Sequence, residues 1–216
     1  MKITVVSVFV KGHVPFTPVY VTKLESMVRR ALPGCRFVCL TDRADELPDG
    51  IETIQAKPVR GMYGWWAKVQ LFNSELPLAG RVLYLDLDVL VVGDLDAVVN
   101  FPAKFALVPD GAPLFKPRDG KRCVKRFNSS VMVWNHREQS KIYSQWSPKE
   151  AEVLWGDQDW IGQCCPEATA MPSEWFPRLS DVKQPPWSDK ARVILCKKPK
   201  NSEAMKVMPW FKQVWQ

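Results

Sequence analysis

Apolar positions along the chain fall into runs that predict alternating strands and helices. Residues 5–10 form a short, nearly unbroken apolar run and predict a first strand. Thr17 followed by Pro18 has the form of a helix N-cap and first helical position. Leu24, Met27, Val28, Ala31 and Leu32 then recur at helical spacing until Pro33 and Gly34 end the helix. Residues 36–40 predict a second strand, closing on Thr41 and Asp42, and residues 51–54 a third. Residues 64–74 have helical character. Residues 82–92 are almost continuously apolar, broken only by Asp86 and Asp88, and predict one strand buried on both faces. A helical turn at 94–99, strands at 104–108 and 131–134, and helices at 138–146, from Ser147-Pro148, and at 157–165 complete the pattern. The Ser147-Pro148-Lys149-Glu150 start has both a capping-box spacing and proline in the first turn. Strands alternating with helices predict an α/β fold with a largely parallel sheet. No internal repeat or low-complexity linker divides the chain, so one compact unit is expected.

Composition narrows the class. The chain has 216 residues, 46% of them hydrophobic and 25% charged, an ordinary balance for a globular protein. No apolar run approaches the roughly 18 residues that span a membrane. The first ten residues lack a basic segment and a small-residue cleavage site, so they predict a buried strand, not a secretion signal. The six cysteines include an adjacent pair and no C-x2-C spacing, which suits reduced, mostly buried thiols. A cytoplasmic location is therefore expected. With only two histidines, His13 and His136, a histidine-rich metal site is excluded.

The formal charge of +7 is unevenly spread. Residues 1–115 are neutral, with 12 basic and 12 acidic side chains. Residues 116–126 (KPRDGKRCVKR) carry six basic side chains against Asp119, and residues 189–216 carry seven against two acidic ones. Local excess of this kind points to a polyanionic contact or to a solvated face.

The sharpest chemical signal is RVLYLDLDVLVVGDLD, residues 81–96. Asp86 and Asp88 are two apart, so on an extended backbone they point to one side. A strand otherwise this apolar tolerates bare carboxylates poorly, because burying an unpaired charge is costly. A divalent cation would neutralise them; hard ions such as Mg2+ or Mn2+ take carboxylate and phosphate oxygens together. The alternative is a pair of strand-end aspartates that cap the following turn.

In order and spacing, FVCLTD (37–42), YGWWAKVQLF (63–72), GRVLYLDLDVLVVGDLD (80–96), FNSSVMVWN (127–135), GDQDWI (156–161) and CKKPKNSE (196–203) resemble the nucleotide-sugar glycosyltransferases of the GT-A fold, especially family 8. The resemblance implies a single GT-A-like (Rossmann-like) domain, 1–216, with a nucleotide-sugar-binding half (1–100) and an acceptor half with a C-terminal tail (101–216). It implies a UDP-sugar-type donor, Mn2+ or Mg2+ on Asp86 and Asp88, and retention at the anomeric carbon. By position it implies donor contacts from Ser7, Thr41, Asp42, Lys68 and Lys200, with Lys200 on the diphosphate. Asp157 would hold sugar hydroxyls and Gln158 would lie near the anomeric carbon, while Asn128 and Ser129 would face the sugar or acceptor. Lys68 also reads as a solvated helix charge, Asp157 as a helix N-cap. One departure stands out. The histidine that opens the family's H-G-x-P-K pattern is Cys196 here and the following glycine is Lys197; a thiolate suits Mg2+ or Mn2+ poorly.

The acceptor is open at this level. The basic loop precedes Asn128, so Lys116, Arg118, Lys121, Arg122, Lys125 and Arg126 would meet a phosphate-bearing acceptor. DNA with a hydroxymethylated base is one candidate and a phosphorylated bacterial glycolipid is another. The tail AMKVMPWFKQVW suits a membrane surface or a helix packed on the domain. A nucleotidyltransferase would need a glycine- and arginine-rich phosphate loop where this chain reads VKGHVPFTP. A non-catalytic nucleic-acid-binding protein would account for the basic segments but not for Asp86 and Asp88.

Overall fold

The computed structural model describes residues 2–12, 16–109, 120–121, 127–182, 185, 187–196 and 209–215. A seven-stranded mixed sheet runs through it, in the order β3 (Glu52–Gln55), β2 (Arg36–Thr41), β1 (Ile3–Phe9), β4 (Arg81–Leu85), β7 (Phe127–Asn135), β6 (Phe105–Pro109), β8 (Thr169–Ala170). The first four are mutually parallel, β7 is antiparallel to both its neighbours, and β8 runs parallel to β6. The sheet is therefore mostly parallel, as the alternation of elements predicts. The direction reverses beside β4, in the middle of the sheet.

Both faces of β4 are buried, which is why its sequence is continuously apolar. Leu83 and Leu85 join Val5, Phe9, Leu24, Met27, Val131 and Val133 beneath α1 (Pro18–Ala31) and α2 (Asp96–Val99). Val82 and Tyr84 join Val6, Val38, Trp66, Met132, Trp134 and Ile161 on the opposite face. That second face is covered by a 3-10 helix, Gly64–Phe72, by α3 (Lys141–Ser144) and by α5 (Asp157–Cys164). A helix at Pro209–Val214 buries Trp210 and Phe211 in the α1 layer, so the described part of the tail packs on the protein. Arg30 fixes that helix by donating to the Val214 carbonyl at 3.0 Å.

Two expectations need correction. The run 82–92 is not one strand: β4 stops at Leu85, a turn follows, and β5 (Leu90–Val91) pairs with β9 (Val193–Ile194) in a separate two-stranded sheet. The acidic pair thus sits in a turn between two strands. The helix expected over 138–146 shortens to α3, preceded by turns that include Arg137 with φ 75°. Thr17 is the N-cap residue of α1 and Pro18 its first helical residue, as expected, with the Thr17 carbonyl accepting the Tyr20 amide and no side-chain capping bond. Ser147, by contrast, does cap α4 (Pro148–Val153). Cys35, Cys39, Cys164, Cys165 and Cys196 carry free thiols, and burial pushes those of Cys39 and Cys165 up to about 12. Cys123 lies outside the described residues.

Gly80 sets the entry to β4. It has φ 65°, and a Cβ there would stand 2.1 Å from the Lys2 carbonyl oxygen, the acceptor of the Arg81 amide. Gly34 has a similar φ of 79° with open space around it. Gly34→Ala should cost about 1–2 kcal/mol, the left-handed backbone term alone. Gly80→Ala should cost about 1–3 kcal/mol beyond that, since backbone must move as well. Urea denaturation of the two variants checks the difference, and equal losses would contradict it.

Candidate active site

A cleft opens at the carboxyl ends of β1 and β4, the place where an open α/β sheet collects ligands. Val8, Val10, Gly12 and Phe16 form one wall, Gly64, Trp65 and Lys68 the other, and Tyr84, Asp86, Leu87 and Asp88 the base. The walls meet closely: a Cβ on Gly12 would lie 2.6 Å from the Gly64 Cα, so the crossing requires glycine at position 12.

At the base, four segments distant in sequence converge on one ammonium group. Lys68 Nζ lies 2.9 Å from Asp86 Oδ1 and 3.2 Å from Asp157 Oδ2, and donates to Ser129 Oγ at 3.1 Å. Ser129 in turn donates to Asp157 Oδ2 at 2.7 Å, and the Tyr84 hydroxyl donates to Asp86 Oδ1 at 2.5 Å. Lys68, Ser129 and Asp157 are buried; Asp86 and Asp88 are partly open to the cleft. Burial alone would strip the charge from Lys68, but the carboxylates of Asp157 and Asp86 outweigh it and raise its pKa. Burial pushes the Asp157 carboxyl up, with Lys68 and the Ser129 hydrogen bond opposing. Burial, then the Asp86 charge, holds the Tyr84 phenol well above its ordinary value. Lys68 is therefore no solvated helix charge.

Nor is Asp157 an N-cap. The capping carboxylate at the start of α5 is Asp159, whose Oδ2 accepts the Gly156 amide at 3.2 Å, leaving Asp157 to face Lys68. Asp159 and Tyr84 are the residues that sequence reasoning passed over. Tyr84 was within reach, since it stands two positions before Asp86 on the same face.

The other candidates are placed as follows. Gln158 is half-buried beside Asp157. Asn128 folds its Oδ1 back onto the Ser130 amide at 2.8 Å. Thr41 is buried with its Oγ1 on the Arg43 amide, and Asp42, exposed, accepts the Lys11 amide at 3.1 Å. Ser7 is fully buried beside Cys39 in the strand register, and is not among the residues lining the cleft. Lys121 donates to the Ala151 carbonyl at 2.8 Å. Arg122, Lys125, Arg126 and Lys200 lie outside the described residues.

The acidic pair fits a hard divalent cation as a two-carboxylate site. Asp86 Oδ1 is occupied by Lys68 and Tyr84, and Asp86 and Asp88 both line the cleft. Among the described residues no three His, Cys, Asp or Glu side chains group as a metal cage. The remaining positions would go to water and ligand oxygens, an arrangement Mg2+ accepts. The Cys196 thiol donates to the Ile194 carbonyl at 3.9 Å.

Removing one partner of a buried ion pair leaves an uncompensated charge. Lys68→Met should therefore destabilise the protein by about 3–5 kcal/mol. Asp157→Asn in the Lys68→Met background should recover part of that loss, giving a coupling of about 1 kcal/mol or more in a urea double-mutant cycle. Strictly additive losses would mean the two groups do not interact.

No protein-family model matches the chain, and no curated protein sequence matches it. Solved structures do. The galactosyltransferase LgtC, in complex with donor and acceptor sugar analogues, is 18% identical over 91% of this chain and 87% of its own, with a TM-score of 0.62. An active-site mutant of LgtC gives 16% over 91% and 88%, with a TM-score of 0.63. The apo glycosyltransferase GlyE of Streptococcus pneumoniae TIGR4 gives 17% over 81% of this chain and 46% of its own, with a TM-score of 0.55. At these identities the likeness is one of fold. The chain has the GT-A fold, arranged as in the family 8 galactosyltransferase LgtC.

Proposed function

We propose that this chain is a glycosyltransferase that moves a sugar from a nucleotide diphosphate donor, a UDP-sugar, to an acceptor hydroxyl, with retention. The observation that carries the reading is the buried ammonium of Lys68 clamped between Asp86 and Asp157 at the base of the cleft. Such a cluster, fully paired and open on one side, is built for a charged ligand more than for stability. The fold it shares with a galactosyltransferase solved with donor and acceptor analogues supports the same reading.

Mg2+ or Mn2+ on Asp86 and Asp88 would, when bound, neutralise diphosphate oxygens and ease departure of the nucleotide. The chain's own groups do the rest. Phe16 and the apolar ends of β1 line the cleft that would receive the nucleotide. Lys68 and Ser129 hold Asp157 by its Oδ2, leaving Oδ1 for sugar hydroxyls and for the positive charge that grows on the ring. Gln158, next on the helix, faces the anomeric carbon; a glutamine-to-glutamate change is the active-site mutation solved for LgtC. As the bond from the anomeric carbon to the diphosphate oxygen breaks, its electron pair stays on that oxygen. The acceptor oxygen bonds to the carbon, and its proton passes to the departing phosphate. Lys200 belongs to this proposal as a diphosphate contact, on sequence alone. A cytoplasmic setting goes with it; among the described residues no helix is long and apolar enough to cross a membrane.

The basic loop suggests a hydroxymethylated base in DNA as one acceptor. Of its lysines and arginines only Lys121 is described, and its ammonium is taken by the Ala151 carbonyl. Nothing in the described residues favours that acceptor.

Incubation with UDP-glucose, UDP-galactose and UDP-N-acetylglucosamine, with Mg2+ or Mn2+, should release UDP from at least one donor. Asp88→Asn should lower the rate about a hundredfold or more, and chelation should abolish it. Release from none of them, or release indifferent to Asp88→Asn, would overturn the reading.

A further inference from the structure

An uncharged phenol stands among the charged groups at the base of the cleft. Tyr84 is buried in the middle of the sheet, level with Val6 on β1 and Met132 on β7. Its ring belongs to the apolar layer that includes Val82 and Trp66, and it also lines the cleft. Strand register and packing fix the ring, so its hydroxyl has a set position.

Both side-chain partners that Asp86 has among the described residues fall on one oxygen. Tyr84 Oη donates to Asp86 Oδ1 at 2.5 Å, and Lys68 Nζ lies 2.9 Å from the same atom. The Lys68 ammonium also lies over the Tyr84 ring, 5.3 Å from its centre. These two donors differ in kind. Lys68 is a point charge on a flexible stem, shared with Asp157 at 3.2 Å and Ser129 at 3.1 Å. It attracts Asp86 without fixing the plane of the carboxylate. A phenol held by the sheet donates one directed bond, and that bond does fix it. The backbone beneath is already held, since the Asp86 amide donates to the Ser130 carbonyl at 2.9 Å.

For a cation the consequence is both steric and electrostatic. A carboxylate chelates an ion through two oxygens only when both can approach it. Two donors already crowd Oδ1, and the ammonium repels any cation that nears it. Small Mg2+ keeps strict octahedral geometry and is content with one oxygen from each carboxylate. Larger Ca2+ takes more ligands in looser geometry and readily uses both oxygens of a carboxylate. A carboxylate held in this way therefore favours the smaller ion.

We propose that Tyr84 is a positioning residue whose hydroxyl reserves Oδ1 of Asp86, restricting that carboxylate to one-oxygen contact with a small divalent cation. The inference rests on the cation site of the transferase reading, but its test needs no turnover. Tyr84→Phe removes the hydroxyl and keeps the ring. With UDP present, enhanced water-proton relaxation reads Mn2+ bound to the full chain, and Mg2+ and Ca2+ compete to displace it. In the wild-type chain Mg2+ should displace Mn2+ at a lower concentration than Ca2+ does. In Tyr84→Phe, Mn2+ should bind about tenfold more weakly, the effect usual for a group that orients a metal ligand. The preference for Mg2+ over Ca2+ should narrow or invert as well. A phenol that merely fills the core would lower the thermal midpoint and leave the cation ratio alone. That result would overturn the inference, as would undiminished Mn2+ affinity. If Tyr84→Phe does not fold, Tyr84→Met, which also lacks the hydroxyl, takes its place. A wild-type chain that accepts Ca2+ as readily as Mg2+ overturns the inference without any variant. Release of UDP from a donor by the wild-type chain, with an unchanged ratio in the variant, defeats the role of Tyr84 alone. A narrowed ratio in a chain that releases UDP from no donor defeats the transferase reading and leaves that role standing. No Mn2+ bound by the wild-type chain defeats both.

Discussion

One buried ammonium group organises this molecule's chemistry. Lys68 Nζ is enclosed by Asp86, Asp157 and Ser129, which come from the turn after β4, the first turn of α5 and the start of β7. None of these groups is tolerable alone, because an unpaired charge at this depth would forfeit solvation without return. Each position therefore constrains the others. The 3-10 helix must lie where Lys68 can reach, and α5 must begin where Asp157 can turn inward. Asp159 makes the latter possible by relieving Asp157 of the capping duty at Gly156. The ion cluster is thus a register device that fixes two covering elements, the 3-10 helix and α5, against one face of the sheet.

The sheet supplies the matching constraint from below. Parallel strands β1 and β4 end side by side, and beyond β4 the direction reverses into β7. At that reversal the chain leaves the sheet at Leu85 and returns in a separate ribbon at Leu90. The acidic pair sits in the turn between, on the rim of the sheet and no longer inside it. Asp86 N still pairs with the Ser130 carbonyl at 2.9 Å, so the turn is anchored to β7 even as it departs. Carboxylates two residues apart can share a cleft here without either being buried in the ladder.

How much of this could be read in the sequence depends on what kind of force acts. Local patterning carried the elements: helical spacing from Leu24 to Leu32 gave α1, and unbroken apolar runs gave the doubly covered β1, β2 and β4. Lys68, Asp86, Ser129 and Asp157, singled out from motifs, meet in space. What escaped was non-local. Nothing in residues 82–92 says that Leu85 pairs with Val131 while Leu90 pairs with Ile194, since both are simply apolar. The left-handed turn at Arg137 carries no glycine to betray it. Ser7 shows the limit of carrying a role by position: its place in β1 puts it beside Cys39 in the register, with the strand's Val8 and Val10 on the cleft instead.

The same cluster bears on why a site of this kind would keep both a lysine and a pair of carboxylates for a cation. Lys68 alone balances one of the two acids it touches, and Tyr84 stabilises the same oxygen of Asp86 by hydrogen bonding without adding charge. Asp88 also lines the base of the cleft, beside Lys68 and Asp86. A divalent ion on these carboxylates would offset their charge toward a diphosphate, and the ammonium beneath would add to that attraction. Lys68 also spends its charge on Asp157 and Asp86 from below, so it does not compete for the ligand above. On this argument the lysine sets the orientation of the acids, and the acceptance of a phosphate-bearing donor depends on what the two aspartates hold between them.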